Sequence, residues 1–78
     1  MARLRSMQHV SADRISLHQE TDCGWRSFQA DGERILQLDT YGSDGRAISG
    51  KVSQSVQLDQ AHAQQLVDII RQTFPGVK

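Results

Sequence analysis

The hydrophobic period of this chain changes abruptly at Asp59. In the stretch 51–58 apolar residues occupy alternate positions, as in a half-buried strand, except that Gln54 falls on the apolar side. After Asp59 the apolar residues recur every three or four positions, as on a helix face: Ala63, Leu66, Val67, Ile70 and Phe74. Asp59 is a favourable N-cap, and Pro75-Gly76 is a stop signal. The sequence therefore predicts a helix from about Gln60 to Thr73.

Four strands precede this helix in the predicted fold. Period-two alternation predicts them at 14–20, 25–30, 33–41 and 51–58. Asp31-Gly32 is a tight-turn signal that joins the second and third strands, and Gln54 indicates a strand edge or a bulge in the fourth. Residues 1–12 have no clear period, so we expect a flexible arm followed by a single domain over 13–78. The predicted fold is α+β, a curved four-stranded antiparallel sheet followed by one C-terminal helix.

The predicted core is small compared with the apolar surface of the helix. The chain has 78 residues, 37% of them hydrophobic, and its one cysteine, Cys23, cannot form a disulfide within the chain. A core of this size supplies only about 3–5 kcal/mol. We therefore expect a homodimer in which Leu66, Ile69 and Ile70 contribute to the contact. The alternative is a wide apolar stripe that the chain covers by itself.

Charge and motif content exclude several classes of function. Nine basic and nine acidic residues cancel, which argues against strong nonspecific DNA binding. One cysteine and three dispersed histidines lack the spacing of a metal site, and the sequence has no phosphate-binding loop. We therefore expect no cofactor and no enzymatic activity. The absence of an apolar run long enough for a signal peptide or a membrane span predicts a cytoplasmic protein.

Two segments of the chain resemble a known family. GERILQLDTY and SGKVSQSVQLD, followed by the amphipathic helix, are similar to segments of the positive-cofactor-four type of transcriptional coactivator and its small bacterial relatives. Trp25 stands where those relatives carry a tryptophan, and the resemblance covers residues 14–74. It implies four curved antiparallel strands and one helix, a dimer, and single-stranded DNA binding on the concave sheet surface. The family's Gly-Lys segment is rich in lysine, whereas only Lys51 occurs here.

A shorter pattern, LQLDTYGS…GKVSQ, resembles that of short bacterial proteins, some of them labelled methionyl-tRNA formyltransferase-like. A formyltransferase is several times longer and needs an Asn/His/Asp catalytic group. This chain contains no Asn, so the label predicts no activity for it.

One face of the predicted sheet is polar and is suited to nucleic acid. It combines Lys51, Ser53, Ser55 and Gln57 of the fourth strand with Gln37, Asp39 and Tyr41 of the third. Hydroxyls and amides bind base edges, aromatic rings stack on bases, and cations bind phosphates. The candidate nucleic-acid-binding residues are Arg14, Trp25, Arg26, Tyr41, Arg46, Lys51, Ser53 and Ser55. The alternative is an ordinary solvated sheet face.

The sequence is compatible with two functions. The first is a non-enzymatic module that binds single-stranded nucleic acid, and the second is a protein-interaction or regulatory subunit of the same fold. Basic residues that converge around Trp25 or Tyr41 would favour the first. Acidic residues that interrupt this surface, Asp39 above all, would favour the second. For Trp25, packing in the core or in a dimer contact is the other role.

Overall fold

The computed structural model describes residues 1–42 and 51–78 of the chain. These residues form four strands and one helix: β1 (Ala2–Arg3), β2 (Cys23–Ala30), β3 (Glu33–Tyr41), β4 (Val52–Leu58) and α1 (Gln60–Thr73). The strands make one sheet in the order β1-β4-β3-β2, in which β1 is parallel to β4 and the other neighbours are antiparallel. The predicted α+β class with a C-terminal helix is confirmed. The prediction of a fully antiparallel sheet is wrong, because β1 runs parallel to its neighbour.

β2 and β3 form the hairpin that the sequence predicted. Ala30 pairs with Glu33, so the loop between the strands consists of Asp31 and Gly32. Both loop residues have positive φ, 51° and 79°, as the twist of a two-residue hairpin requires. Glycine adopts this conformation without strain, and aspartate is one of the few other residues that tolerate it. The local sequence therefore sets the register of this hairpin.

β3 and β4 pair with one irregularity. Thr40 pairs with Gln54, but Tyr41 pairs with Val52, so Ser53 is the extra residue of a β-bulge. The bulge lies beside the glutamine that indicated an edge or a bulge in the sequence. Such an insertion bends the strand and increases its twist, which favours a curved sheet.

The predicted strand at 14–20 is wrong. These residues have no regular secondary structure, and Ile15 and Leu17 are 87% and 100% exposed. An alternating sequence forms a stable strand only where a neighbouring strand pairs with it and its apolar side chains are buried. Among the described residues, no strand pairs with 14–20 and its apolar side chains stay exposed. The fourth strand is Ala2–Arg3, from the segment predicted as an arm. The division into an arm over 1–12 and a domain over 13–78 stays a prediction.

Helix α1 spans Gln60–Thr73, as predicted. The Asp59 side chain caps it by accepting a hydrogen bond from the backbone N of His62 at 3.0 Å. Within residues 60–73 no side chain is buried, and the contacts of α1 with the sheet are mainly to β4. The helix has its predicted limits but lacks the packing that normally stabilises an amphipathic helix. No helix of the described residues is long and apolar enough to span a membrane.

The buried core is small relative to the surface area that the chain exposes. Among the described residues only Ile35, Asp39, Tyr41 and Leu58 are buried. The chain exposes 6899 Å², whereas a compact monomer of this mass exposes about 4,700 Å². Its radius of gyration of 14.4 Å likewise exceeds the roughly 11.5 Å of a compact chain of this length. A single chain therefore leaves an unusual amount of surface uncovered.

Candidate functional site

The strand register divides the sheet into two faces of different composition. Side chains of directly paired residues project to the same side of a sheet. The polar face carries Arg3, Arg26, Gln37, Asp39, Ser55 and Gln57, with the apolar or aromatic Phe28, Ile35 and Tyr41 towards its ends. The apolar face consists of Trp25, Leu36, Leu38, Val56 and Leu58. The register pairs Gln37 with Gln57 and Asp39 with Ser55, as the alternation predicted, whereas Ser53 is the bulge residue and Lys51 precedes β4.

Asp39 lies at the centre of the polar face and is 1% exposed. Its Oδ1 accepts hydrogen bonds from Ser55 Oγ at 2.7 Å and from Gln37 Nε2 at 2.9 Å, and its Oδ2 accepts one from Arg26 at 3.1 Å. Gln57 Nε2 extends the network by donating to Gln37 Oε1 at 2.8 Å. A buried carboxylate is tolerated only with such partners. The network therefore ties together β2, β3 and β4.

These donors keep the Asp39 carboxyl ionised. The hydrogen bond from Ser55 and then that from Gln37 lower its pKa most, and the charge of Arg26 lowers it further. Burial acts in the opposite direction, but the pKa stays below the ordinary value of 3.8. An ionised carboxylate whose two oxygens both accept hydrogen bonds is not available as a general acid. Asp39 therefore holds the three strands together as an ionised hydrogen-bond acceptor.

A cross-strand row of the polar face joins the two edges of the sheet. Arg26 pairs with Gln37, Gln37 with Gln57, and Gln57 with Arg3. Strands are about 4.8 Å apart, so the backbones of the two arginines are roughly 14 Å apart. The Arg26 side chain is 62% exposed although it binds Asp39, and Arg3 lines a shallow hollow with Gln37 and Gln57. The row presents two guanidinium groups separated by amides.

The apolar face is largely open. Trp25 pairs with Leu38, which pairs with Val56, yet Trp25 is 72% exposed and the other two are only partly buried. Helix α1 reaches one end of this face, where Leu58 and Ala63 line a small hollow. The described part of the chain covers the rest of the face only partly. An open patch with a tryptophan is typical of a contact surface.

Helix α1 and the residues after it carry a second open apolar strip. Val67, Ile69 and Phe74 are 37%, 38% and 58% exposed, and Leu66 and Ile70 are partly buried. The three residues predicted for a dimer contact, Leu66, Ile69 and Ile70, therefore belong to one strip that the described chain covers incompletely. The chain thus has two apolar surfaces, one on the sheet and one on the helix.

Comparison with known proteins gives no relative for this chain. It matches no family model, no curated protein and no solved structure. The resemblance to the coactivator type therefore stays a prediction, and the function is inferred from the two faces and the helix.

The structure separates the residues predicted to bind nucleic acid. Arg26 and Ser55 lie on the polar face, where both bind Asp39. Trp25 lies on the opposite face. Tyr41 is 4% exposed, so its ring is not presented for stacking on a base. The aromatic rings and the basic residue of the polar face therefore do not form one surface.

The other four predicted residues are dispersed. Lys51 and Ser53 are exposed at the beginning of β4, and Arg14 is exposed in the segment without regular secondary structure. Arg46 lies outside the described residues. Sequence reasoning missed Arg3, because a two-residue strand has no period by which it could be found.

His62 is a second residue that sequence reasoning missed. Its Nδ1 lies 2.7 Å from Asp59 Oδ1, and its Nε2 lies 2.8 Å from the carbonyl oxygen of Arg5. The available signal was an N-cap aspartate followed three residues later by a histidine. Among the described residues no group of three or more His, Cys, Asp or Glu side chains could hold a metal ion.

Proposed function

We propose that this chain is a non-enzymatic protein-interaction module in which two copies pair through the apolar face and helix α1. The observation that carries the proposal is the position of Trp25, which is 72% exposed beside Leu38 on an open apolar face. A water-exposed tryptophan next to partly exposed leucine and valine is unfavourable in a monomer and is typical of the centre of an interface. The free and exposed Cys23 agrees with a reducing compartment such as the cytoplasm.

The surplus surface supports pairing of two copies. The chain exposes 6899 Å², roughly 2,200 Å² more than a compact monomer of its mass. Permanent dimers bury about 2,000–5,000 Å² in total, or roughly 1,000–2,500 Å² per chain, so an interface of that size would remove from about half of the surplus to all of it. A weak, transient contact of less than about 1,200 Å² would leave most of it in water.

The two open apolar surfaces are complementary within a symmetric pair. In a twofold dimer every contact occurs twice, so the helix strip of one copy can cover the apolar face of the other and the reverse. Leu66, Ile69 and Ile70 would then pack near Trp25 and Leu38 of the second copy. This arrangement gives α1 the packing that it lacks within its own chain.

The polar face supports this choice of function over nucleic-acid binding. Its central residue, Asp39, is a carboxylate, and an anion at this position repels phosphate groups. Arg26, the nearest cation, forms an ion pair with that carboxylate at 3.1 Å. Neither aromatic candidate stands on this face with its ring exposed, because Trp25 is on the other side and Tyr41 is buried.

The mass of the protein in solution tests the proposal. We expect sedimentation equilibrium of the wild type to give twice the chain mass of 8.7 kDa. Ile69→Glu should give a monomer, because it places a charge in the contact. Leu17→Glu is the matched control, since Leu17 is fully exposed in the segment without regular secondary structure. A monomeric wild type at high micromolar concentration would contradict the proposal.

A second candidate function is binding of single-stranded nucleic acid on the polar face. The observation that favours it is the row in which Arg26 and Arg3 flank Gln37 and Gln57. Guanidinium groups bind phosphates and amides bind base edges. Because only few cations are available, such binding would be weak and moderately salt-dependent. A salt titration against single-stranded DNA, RNA and duplex decides whether it occurs.

A further inference from the structure

Beyond the β1–β4 ladder, three hydrogen bonds among the described residues hold the N-terminal segment against β4 and helix α1. The backbone N of Leu4 donates to the carbonyl oxygen of Gln57 at 2.8 Å and so extends the pairing of β1 with β4. Gln65 Nε2 donates to the carbonyl oxygen of Met7 at 2.9 Å. His62 Nε2 lies 2.8 Å from the carbonyl oxygen of Arg5, between these two contacts. Two of the three bonds therefore come from side chains of the helix.

His62 differs from Gln65 in that both of its ring nitrogens face acceptors. Nε2 faces the carbonyl oxygen of Arg5, and Nδ1 faces Asp59 Oδ1 at 2.7 Å. A carbonyl and an ionised carboxylate can only accept hydrogen bonds. Neutral imidazole has a single N–H, so in either tautomer one nitrogen would turn its lone pair towards an oxygen. Only the imidazolium form satisfies both contacts.

We propose that His62 is a protonation-dependent clamp, which in its charged form docks β1 and residues 4–7 on β4 and the beginning of α1 and in its neutral form releases them. The carboxylate of Asp59 orients the ring and keeps the charge, while the second N–H binds the N-terminal segment. The clamp is independent of the apolar face.

The charged groups around the clamp come from three elements. Asp59 belongs to the N-cap of α1, Glu33 begins β3, and Arg3 and Arg5 belong to the docked segment; together with His62 and Leu4 they line one hollow. The two acidic groups favour the imidazolium, and the two arginines oppose it. Among the described residues these are the charged groups that line the hollow with the ring. The docked segment also supplies a carbonyl acceptor, so docking and protonation favour each other.

The direction of the pH effect follows from the two pKa values. The hydrogen bond to Asp59, then that to Arg5, raises the pKa of His62 above its ordinary 6.5, although partial burial opposes the shift. Its contribution is complete below 6.5 and is lost as the pH rises through the raised pKa. The pKa of Asp59 is lowered from 3.8, mainly by hydrogen bonds from His62, so its contribution is lost only as the pH falls through the lowered value. Docking is strongest between these limits.

Release of the clamp changes two surfaces at once. The outer edge of β4, which pairs with Ala2 and Arg3 in the docked form, becomes available to another strand. The polar face also loses Arg3, one of the two cations of its cross-strand row. The proton therefore controls both a sheet edge and the charge of the polar face.

Nuclear magnetic resonance of the full chain between pH 5 and 8.5 tests the clamp. We expect His62 to titrate above 6.5 and the protection factor of the Leu4 amide, corrected for intrinsic exchange, to fall along the same curve. For each unit by which docking raises the pKa of His62, deprotonation should lower the docking equilibrium constant about tenfold. His62→Gln, which reaches only one of the two acceptors, should show weak Leu4 protection that does not follow this curve.

Two further variants make the result decisive. Asp59→Asn keeps a capping oxygen but removes the charge, so both the His62 titration and the loss of Leu4 protection should move to lower pH by the same amount. His18→Gln, in the exposed segment 10–20, should behave as the wild type. The clamp is wrong if His62 titrates at or below 6.5, if Leu4 protection is constant across the titration, or if His62→Gln protects Leu4 as the wild type does.

Discussion

The two faces of the sheet differ in how far the chain itself covers their side chains. On the polar face a buried carboxylate, Asp39, receives three hydrogen bonds from Ser55, Gln37 and Arg26 within the chain. On the apolar face Trp25, 72% exposed, receives no comparable cover from the described residues. The carboxylate, which is costly to bury, has its hydrogen bonds within the chain, whereas the hydrocarbon of the apolar face, which is easy to bury, remains exposed to water.

This difference shows where a partner contributes most. A ligand on the polar face would have to compete with hydrogen bonds that already exist, so its net gain is small. A partner on the apolar face removes hydrocarbon from water and breaks no existing bond. The contrast between the faces can therefore be tested by changing neighbouring residues that point in opposite directions.

The largest expected difference is between Leu58 and its neighbour Gln57. Leu58 is 2% exposed where the apolar face meets the helix, so Leu58→Ala should lower the free energy of unfolding by about 2–5 kcal/mol. Gln57→Ala on the polar face removes one hydrogen bond and should cost about 1 kcal/mol. Urea unfolding at one protein concentration measures both. Equal losses would mean that the two faces contribute equally to stability.

A second pair of neighbours, Trp25 and Arg26, compares the faces in association. Trp25→Ala should weaken the homodimer by about 2 kcal/mol or more, a factor of roughly 30 in Kd, because it removes a central aromatic contact. Arg26→Ala should leave Kd nearly unchanged, since its side chain points to the polar face. Sedimentation equilibrium gives both constants. A larger effect of Arg26 would place the contact on the polar face instead.

Acid should weaken the polar face. The lowered pKa of Asp39 means that its contribution to stability is present above 3.8 and is lost as the pH falls through the lowered value. The urea midpoint of the wild type should therefore fall as the pH decreases below 3.8 and through the lowered pKa, and this part of the fall should be absent in Asp39→Asn. Asp13→Asn, a change at an exposed carboxylate, serves as the control. The same acid dependence in all three proteins would contradict the stabilising role of the ionised Asp39.

The smallest expected effect concerns nucleic acid. If single strands bind the polar face, Arg3→Ala should flatten the dependence of log K on log salt by about 0.7, the contribution of one phosphate contact. Arg71→Ala, in the last turn of α1, should leave the slope unchanged. Filter binding at several salt concentrations measures both variants. Absence of binding at low salt would eliminate the second candidate function and leave the interaction module.

Local signals in the sequence predicted the helix and the hairpin correctly. The limits of α1 follow from a capping aspartate, a three-to-four period and Pro75-Gly76, and the hairpin follows from Asp31-Gly32. The polar pairing of β3 with β4 was also predictable, because alternation with period two decides which residues share a face. These features depend on residues close to one another in the chain.

The errors concern contacts between distant residues. Residues 14–20 alternate as well as any strand here, but alternation does not reveal whether a neighbouring strand exists. β1 has two residues, too few for any pattern, and its position depends on β4 and on His62. The sequence alone did not decide whether Tyr41 is buried. Its cross-strand partner is Val52 because of the bulge at Ser53, which shifts the register of β4.

The parallel pairing of β1 with β4 also sets an order of events during synthesis. Ala2 pairs with Val56, so β2, β3 and most of β4 have to be made before Ala2 finds its partner. Closing so long a loop for two paired residues is entropically expensive, which makes this contact the last to form and the first to open. Ala2 and Arg3 are therefore among the latest residues to become ordered, and they wait on a histidine that is made after β4.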